Sequence, residues 1–203
     1  MKKVPIQGRS RQTVDALIEA TARTIADRGW QSTTTNHIAA KAGVSVGSLY
    51  QYFDSREDLL AALAQREQRR ILEKLDEAIA AAIGADARTA IRTLLEVAFK
   101  ECEQEEALFT ELANHWGSTG AGDFADVLDV HMLDGLRLFL SRFYDVYEPI
   151  DAPTVSFMLT NSSVMVISRF YVTRPRGVTP DKLLDEMTEL YAGYFERKVR
   201  PRA

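Results

Sequence analysis

Residues 33–53 constrain the fold more than any other stretch of the chain, because they describe two short helices joined by a tight turn. Their sequence is TTTNHIAAKAGVSVGSLYQYF. Ala39 is small where two helices must cross closely, Gly43 suits a turn that needs a positive φ, and Ser45 can cap the second helix. We predict helices over about 35–42 and 46–53. This arrangement is typical of the helix-turn-helix, whose second helix can enter the major groove of DNA.

The second of these helices is predicted to have one buried and one exposed face. The side chains able to form a small core with the first helix are Ile38, Ala42, Val44, Leu49 and Phe53. The exposed surface is then made by Val46, Gly47, Ser48, Tyr50, Gln51 and Tyr52. Two tyrosines and a glutamine with almost no charge are unusual for a merely solvated face, and they suit contacts to phosphates and base edges. The spacing alone is moderately specific, since many helical pairs look alike.

The charge distribution points to the same end of the chain. Residues 1–53 carry a net charge of +4, whereas the formal charge of the whole chain is -4, so the remainder carries -8. A basic N-terminal segment followed by an acidic remainder is expected where only the N-terminal segment binds a polyanion. The alternative is that the basic residues cluster there by chance.

Apolar residues recur at helical spacing along the rest of the chain, without convincing strand alternation. Ser55 and Asp58 resemble a capping box that opens a long helix over about 57–83, roughly 40 Å in length. Gly84 suits a left-handed cap, and Asp86 an N-cap for the next helix. We predict an all-α chain of about nine helices. A three-helix N-terminal domain over residues 1–55 is joined by the long helix to a C-terminal helical bundle over residues 56–203.

Two C-terminal helices are predicted to form a dimer interface. Residues 154–168, TVSFMLTNSSVMVIS, carry no charge, and a helix without a charged face is buried on both sides. The segment is too short and too polar to span a bilayer. We predict a homodimer through the helices at about 152–173 and 180–198, the second of which opens with Thr179 and Pro180. The alternative is that both helices complete the core of a monomer.

Several classes of site are excluded or disfavoured. A single cysteine excludes a disulfide framework and a multi-cysteine metal site. Cys102 with His115 or His131 is the one candidate nucleophile–base pair in the sequence. No catalytic motif surrounds Cys102, so we predict no enzyme activity. His37 and the other two histidines lack a second histidine at metal-binding spacing, and we predict neither a metal nor another cofactor. The basic N-terminus lacks a following apolar run, which favours the cytoplasm and no membrane association.

The N-terminal segment also resembles a known family. The residues that carry the resemblance are Gly29-Trp30, Thr33-Thr34-Thr35, Ile38-Ala39, Ala42-Gly43-Val44-Ser45, Gly47, Leu49-Tyr50, Tyr52-Phe53 and Arg56-Glu57-Asp58-Leu59-Leu60. Together they are similar to the signature of the TetR family of transcriptional regulators. The match covers about residues 10–60, a quarter of the chain, and is highly specific.

The resemblance implies a nine-helix homodimer that binds DNA through paired helix-turn-helix units. Thr35 resembles the family's phosphate contact, and Arg56 stands where the family often places a phosphate-binding lysine. The remaining DNA-binding candidates carried over are Asn36, Ser45, Val46, Gly47, Ser48, Tyr50, Gln51 and Tyr52. Since few of these can make bidentate base contacts, we expect part of the specificity to come from DNA shape.

The resemblance further implies a small effector bound in each C-terminal body. Candidate ligand-binding residues, expected to face inward, are Phe99, Cys102, Phe109, Trp116, His131, Phe157, Asn161 and Met165. Trp116, His131 and Asn161 would supply the polar contacts, although a lone histidine is more often part of a core. The predicted function is a repressor released from a palindromic operator by a largely apolar or aromatic effector. The alternative is a scaffold that has lost DNA binding and acts as a ligand-binding or interaction module.

Overall fold

The computed structural model describes residues 8–104, 106–114, 121–141 and 150–198. These residues form nine helices and no strand, which confirms the predicted all-α class. The helices are α1 (Gly8–Arg28), α2 (Thr35–Ala42), α3 (Val46–Leu49), α4 (Arg56–Ala82), α5 (Ala87–Gln104), α6 (Glu106–Asn114), α7 (Ala121–Ser141), α8 (Ala152–Thr173) and α9 (Pro180–Lys198).

The described chain divides into two compact units, and the first is built around the helix-turn-helix. It comprises residues up to Arg69 together with the segment 105–121, and therefore α1 to α3, the first part of α4, and α6. The side chains buried in its core include Leu17, Ile25, Ile38, Leu49, Phe53, Leu59, Leu63 and, from α6, Leu108. Ala42 and Val44 pack against this core at its edge. The predicted domain boundary at residues 55 and 56 stays a prediction.

The second unit comprises residues 70–104 and 122–203. Within it α5 packs mainly against α9 and also contacts α8. Tyr171 on α8 donates a hydrogen bond from its hydroxyl to the backbone oxygen of Phe99 on α5, at 3.2 Å. The rings of Phe139 and Phe195 meet edge to face, with centroids 6.1 Å apart. These contacts tie the unit together by aromatic packing.

Helix α4 is continuous from the first unit into the second, but it is not the only covalent connection between them. The chain also passes from one unit to the other near residues 104–105 and 121–122. The second connection arises because α6, which carries no sequence motif, contributes Leu108 to the core of the first unit.

Most of the predicted helix ends are confirmed by their capping contacts. Ser55 Oγ accepts the backbone N–H of Asp58 at 3.0 Å, Asp86 Oδ1 accepts that of Thr89 at 2.9 Å, and Thr179 Oγ1 accepts that of Lys182 at 3.3 Å. Helix α3 is shorter than predicted. It ends at Leu49, because the next residues form tight turns, with Gln51 N–H donating to the oxygen of Ser48 and Tyr52 N–H to that of Leu49.

None of the helices in the described parts of the chain is long and apolar enough to cross a membrane.

Candidate nucleic-acid interface

The start of α2 presents a hydroxyl beside free helix-end donors. Thr34 caps the helix in an extended conformation, and its side chain accepts the backbone N–H of His37 at 3.3 Å. Thr35, the first residue of α2, is half-buried, and its Oγ1 lies 3.3 Å from the hydroxyl of Tyr50. The N-terminus of a helix favours anions through its unsatisfied N–H groups and its dipole. The structure thus brings Thr35 and Tyr50 together at a position suited to a phosphate.

Helix α3 is short, and its cap and core residue hold it in place. Ser45 Oγ accepts the backbone N–H of Ser48 at 3.0 Å and lies 2.8 Å from the hydroxyl of the same residue. Leu49 is fully buried, which anchors the opposite face of the helix in the core. The front of α3 is therefore fixed to the domain, and its serine hydroxyls keep further lone pairs for a ligand.

The candidate DNA-contacting side chains differ in exposure. Asn36, Ser45, Gly47, Tyr50 and Gln51 are exposed, whereas Thr35, Val46, Ser48 and Tyr52 are half-buried. Val46 and Tyr52 pack against the domain core. In addition, the hydroxyl of Tyr52 lies 3.4 Å from Ser10 Oγ of α1. Hence Tyr50 and Gln51 are large exposed side chains on this face, while Tyr52 also links the turn after α3 to α1.

Arg56 is engaged within the domain. Its Nη1 donates to the backbone oxygens of Thr33, at 2.9 Å, and of Trp30, at 3.3 Å. The guanidinium carbon also stands 4.2 Å from the centroid of the Trp30 ring, a cation–π distance. The predicted phosphate contact of Arg56 stays a prediction. The contacts of Arg56 with Thr33 and Trp30 could not be predicted from the sequence, because they depend on how the chain before α2 folds back toward α4.

Phe99 and Cys102, two of the candidate ligand residues, are buried on α5. Burial, assisted by the negative charge of Glu101, raises the pKa of the Cys102 thiol to about 12. A thiol with this pKa is neutral at ordinary pH and therefore a poor nucleophile. Phe109 is half-buried on α6 in the first unit, and Trp116 lies outside the described residues, as does His115.

The two polar ligand candidates in the second unit have different surroundings. His131 Nε2 is buried and lies 3.1 Å from Asp76 Oδ1, yet it makes no hydrogen bond of good geometry with any described residue. Asn161 Nδ2 donates to Asp129 Oδ1 at 2.8 Å and to the backbone oxygen of Phe157 at 3.0 Å. The amide of Asn161 is therefore occupied in tying α8 to α7, whereas the His131 nitrogen has spare hydrogen-bonding capacity.

Phe157 and Met165 point outward in the single chain, with 61% and 66% of their surface exposed. The expectation that they face inward together with Phe99 is wrong. Because residues 154–168 of α8 carry no charge, their sequence does not indicate which side of the helix faces the core. The other large apolar side chains exposed on α8 and α9 are those of Met158, Val166, Val172 and Leu190.

Among the described residues, no group of three or more His, Cys, Asp or Glu side chains is arranged to hold a metal ion.

Comparison with known families bears on the N-terminal domain. The family described as "Bacterial regulatory proteins, tetR family" matches residues 17–63, which span α1, α2, α3 and the start of α4. Residues 17–63 therefore match the N-terminal domain of the TetR family. The predicted resemblance is therefore confirmed on the segment that carries the helix-turn-helix.

Curated transcriptional regulators match part of the chain. The chain is 33% identical over 63 residues to the fatty acid metabolism regulator protein of Bacillus subtilis, a match covering 31% of this chain and 32% of that protein. It is 39% identical over 87 residues to the HTH-type transcriptional regulator BetI of Rhizobium meliloti, covering 42% and 41%. The chain thus matches about a third to two fifths of the length of these relatives.

Solved structures extend the likeness in fold to nearly the whole chain. A structure described as a TetR-family transcriptional regulator from Mesorhizobium loti superposes with a TM-score of 0.77, at 13% identity, over 95% of this chain and 99% of that one. The fatty acid degradation regulator FadR from Bacillus halodurans gives a TM-score of 0.63, at 23% identity, over 95% and 97%. At these identities the likeness establishes the fold alone.

Proposed function

We propose that this TetR-family protein is a DNA-binding transcriptional regulator that reads its operator with α3 and the start of α2. The observation that carries the proposal is the exposed, uncharged pair Tyr50 and Gln51, with the Tyr50 hydroxyl 3.3 Å from Thr35 Oγ1 at the N-terminus of α2. Hydroxyl groups and helix N-termini contact phosphates, while a glutamine side chain can pair bidentately with adenine in the major groove. The net positive charge of residues 1–53 supports the same assignment.

The proposal is tested by selecting bound duplexes from a random DNA pool and titrating the winners against salt. We expect an enriched inverted repeat, since a dimer presents its recognition helices to two half-sites related by symmetry. Affinity should fall steeply with salt, with a log–log slope of about −0.9 for each phosphate neutralised. Substituting Gln51→Ala should relax the sequence preference at one position of each half-site. Weak binding that is indifferent to sequence, with and without a metabolite pool, would favour the scaffold without DNA binding.

The proposal includes repression and release by a small, largely apolar or aromatic effector. A dimer fixes the separation of its two recognition helices, so an effector that prefers a different separation must weaken operator binding, and the operator must weaken effector binding equally. In the second unit, buried aromatic side chains and the His131 nitrogen without a hydrogen bond to any described residue supply the chemistry that such an effector needs.

The effector is sought by screening for release of the selected operator duplex. Fatty acids are the first probes, because two similar proteins are named for fatty acid metabolism. Once a releasing compound is found, we expect His131→Ala to raise the concentration needed for half-release by roughly five- to tenfold, the loss of one hydrogen bond. Lys74→Ala, an exposed change in the same unit, is the control. An unchanged release curve for the His131 variant would remove this residue from the effector site.

A further inference from the structure

The turn that joins α1 to α2, residues 29–34, is closed by its own backbone and side chains. Gly29 adopts a left-handed φ of 73°, and Thr33 Oγ1 donates to the backbone oxygen of Gly29 at 2.8 Å. The backbone N–H of Thr33 donates to the oxygen of Trp30 at 3.0 Å, and the Trp30 side chain is buried. The turn leads directly into Thr34, the cap of α2, and so into Thr35.

Arg56, at the start of α4, holds this turn from one side. Its Nη1 binds the backbone oxygens of Thr33 and Trp30, and its guanidinium lies against the Trp30 ring. Hydrogen bonds from a charged donor are stronger than neutral ones, and a planar guanidinium can stack on a ring while it donates at its edge. A lysine would keep the charge, but it could not reproduce the stacking together with both carbonyl contacts.

Glu111, on α6, holds the same turn from another helix of the first unit. Its Oε2 accepts the backbone N–H of Trp30 at 3.2 Å, while Leu108 one turn earlier is buried in the domain core. A carboxylate is unfavourable close to the C-terminal end of a helix such as α1. The hydrogen bond from Trp30 N–H explains why Glu111 lies near this end of α1. The carboxylate is a strong acceptor for a backbone N–H that lies just beyond the end of the helix.

We propose that Arg56 and Glu111 are positioning residues, which fix the 29–34 turn and thereby set Thr35 for its contact with DNA. The inference rests on the proposed DNA-binding function. It assigns to Arg56 a role that differs from the phosphate contact implied by the family resemblance. Arg56 binds the oxygens of Thr33 and Trp30, and Glu111 binds the N–H of Trp30. These contacts restrict the backbone conformation up to two residues before Thr35, and they therefore set the direction in which α2 begins.

The two roles of Arg56 are separated by charge-conserving and charge-removing substitutions. The variants are Arg56→Lys and Arg56→Gln, with Arg69→Lys and Arg69→Gln as controls at an exposed position of the same helix. Each is measured for its melting temperature and for its affinity to the selected duplex over a range of salt. Where no duplex is enriched, a mixed-sequence duplex serves as the probe.

For a positioning role, both Arg56 variants lower the melting temperature by roughly 3–8 °C, from the loss of charged hydrogen bonds in a chain of this size. Both weaken DNA binding by about tenfold at every salt concentration, with an unchanged salt slope. The Arg69 variants match the wild type in both measurements. The proposal is overturned if Arg56→Lys behaves as wild type, while Arg56→Gln makes the slope shallower by about 0.9 per bound protomer, the result of losing a phosphate contact.

Glu111 is tested by a conservative rescue. Glu111→Ala removes the acceptor for Trp30 N–H and should weaken DNA binding by roughly five- to tenfold, whereas Glu111→Gln keeps an oxygen acceptor and should stay within about twofold of wild type. Equal losses in both variants would mean that the charge matters rather than the bond, and would overturn the role assigned to Glu111.

A double-mutant cycle with Thr35→Val distinguishes positioning from a general loss of stability. If Arg56 acts through Thr35, then Arg56→Lys costs little further affinity once the Thr35 hydroxyl is gone. Additive losses would overturn the proposal. Failure of the proposed function has a different signature, because the wild type would then show no salt-dependent affinity for DNA, whatever the melting temperatures of the variants.

Discussion

At the scale of single residues, Gly43 is one of the positions where the backbone conformation favours glycine. It ends α2 with φ at 70°, and its N–H bonds back to the oxygens of Ala39 and Ala40. A Cβ added at Gly43 would meet no atom within 4 Å, so the cost of a side chain there is backbone strain rather than a clash. Strain of this kind amounts to about 1–2 kcal/mol for a non-glycine residue.

Replacing Gly43 with alanine should therefore lower the free energy of unfolding by about 1–2 kcal/mol. Gly84→Ala is the matched control, since a Cβ there also meets nothing within 4 Å and its φ is not positive. The control should be neutral or slightly stabilising, because alanine restricts the unfolded chain. The two variants are compared by chemical denaturation, and an equal loss in both would contradict the strain argument.

Gly43 and Gly84 also show how well the backbone conformation of a single residue can be predicted from the sequence. Both were predicted to take the left-handed conformation, and the prediction is confirmed at Gly43 but wrong at Gly84. Gly43 lies between two helices whose shared core, with Ile38 and Leu49 fully buried, fixes the angle of the turn. Gly84 sits in an exposed connection before the cap Asp86, where several turn geometries satisfy the same sequence.

Cys102 provides the residue-scale prediction on pH. Because burial raises the pKa of its thiol to about 12, the folded protein keeps the thiol neutral when an exposed thiol would already ionise. The stability gained by this burial is fully present below the pKa of the unfolded thiol, about 8.5, and is lost as pH rises toward 12.

Labelling with iodoacetamide at pH 8 should accordingly be slow for the native protein and fast in denaturant. The chain has one cysteine, so the extent of labelling reports this site alone. A Cys102→Ser variant controls for reaction at other nucleophiles. Labelling of the folded protein at the rate of a free thiol would show that Cys102 is accessible and its pKa ordinary.

At the scale of elements, the stability of α3 depends strongly on its N-cap, Ser45, because the helix is only four residues long. Four residues provide little helical hydrogen bonding, and nucleation of a helix is costly. Ser45→Ala should lower the free energy of unfolding by about 0.5–2 kcal/mol, whereas Ser45→Asn, which also caps well, should leave it nearly unchanged. Denaturation of the two variants checks this, and equal stability of the alanine and asparagine forms would count against the cap.

The elements differ in how well their sequences predict them. Helix α2 has the predicted bounds because it carries its own signals, Thr34 before it and Gly43 after it. The C-terminal candidate site is predicted less well, because the uncharged part of α8 has apolar and small polar residues on every side. Phe157 and Met165 are accordingly exposed on the surface rather than buried. The contact of Glu111 with Trp30 could not be predicted at all, because it joins residues far apart in sequence without a motif.

At the scale of the whole molecule, we expect a second copy of the chain to cover the exposed apolar side chains of α8 and α9. Phe157 and Met165 on α8 and Leu190 on α9 are each more than 60% exposed, and the two helices meet where Ser162 Oγ lies 2.8 Å from the Tyr191 hydroxyl. Contiguous apolar patches on a protein surface mark interaction sites. The proposed dimer would bury them and present two helix-turn-helix units to DNA.

Met165→Asp should therefore convert the dimer to a monomer, because two carboxylates would be buried near a symmetric contact. Val130→Asp is the matched control, since Val130 is 63% exposed but lies on α7. Sedimentation gives the oligomeric state, and binding to the selected inverted repeat and to a single half-site gives the consequence for DNA. The monomer should lose its preference for the full repeat, because two linked half-sites bind with an effective concentration that separate protomers lack. If Met165→Asp stays dimeric while Val130→Asp dissociates, the subunits meet through α7, and the interface predicted on α8 and α9 is wrong.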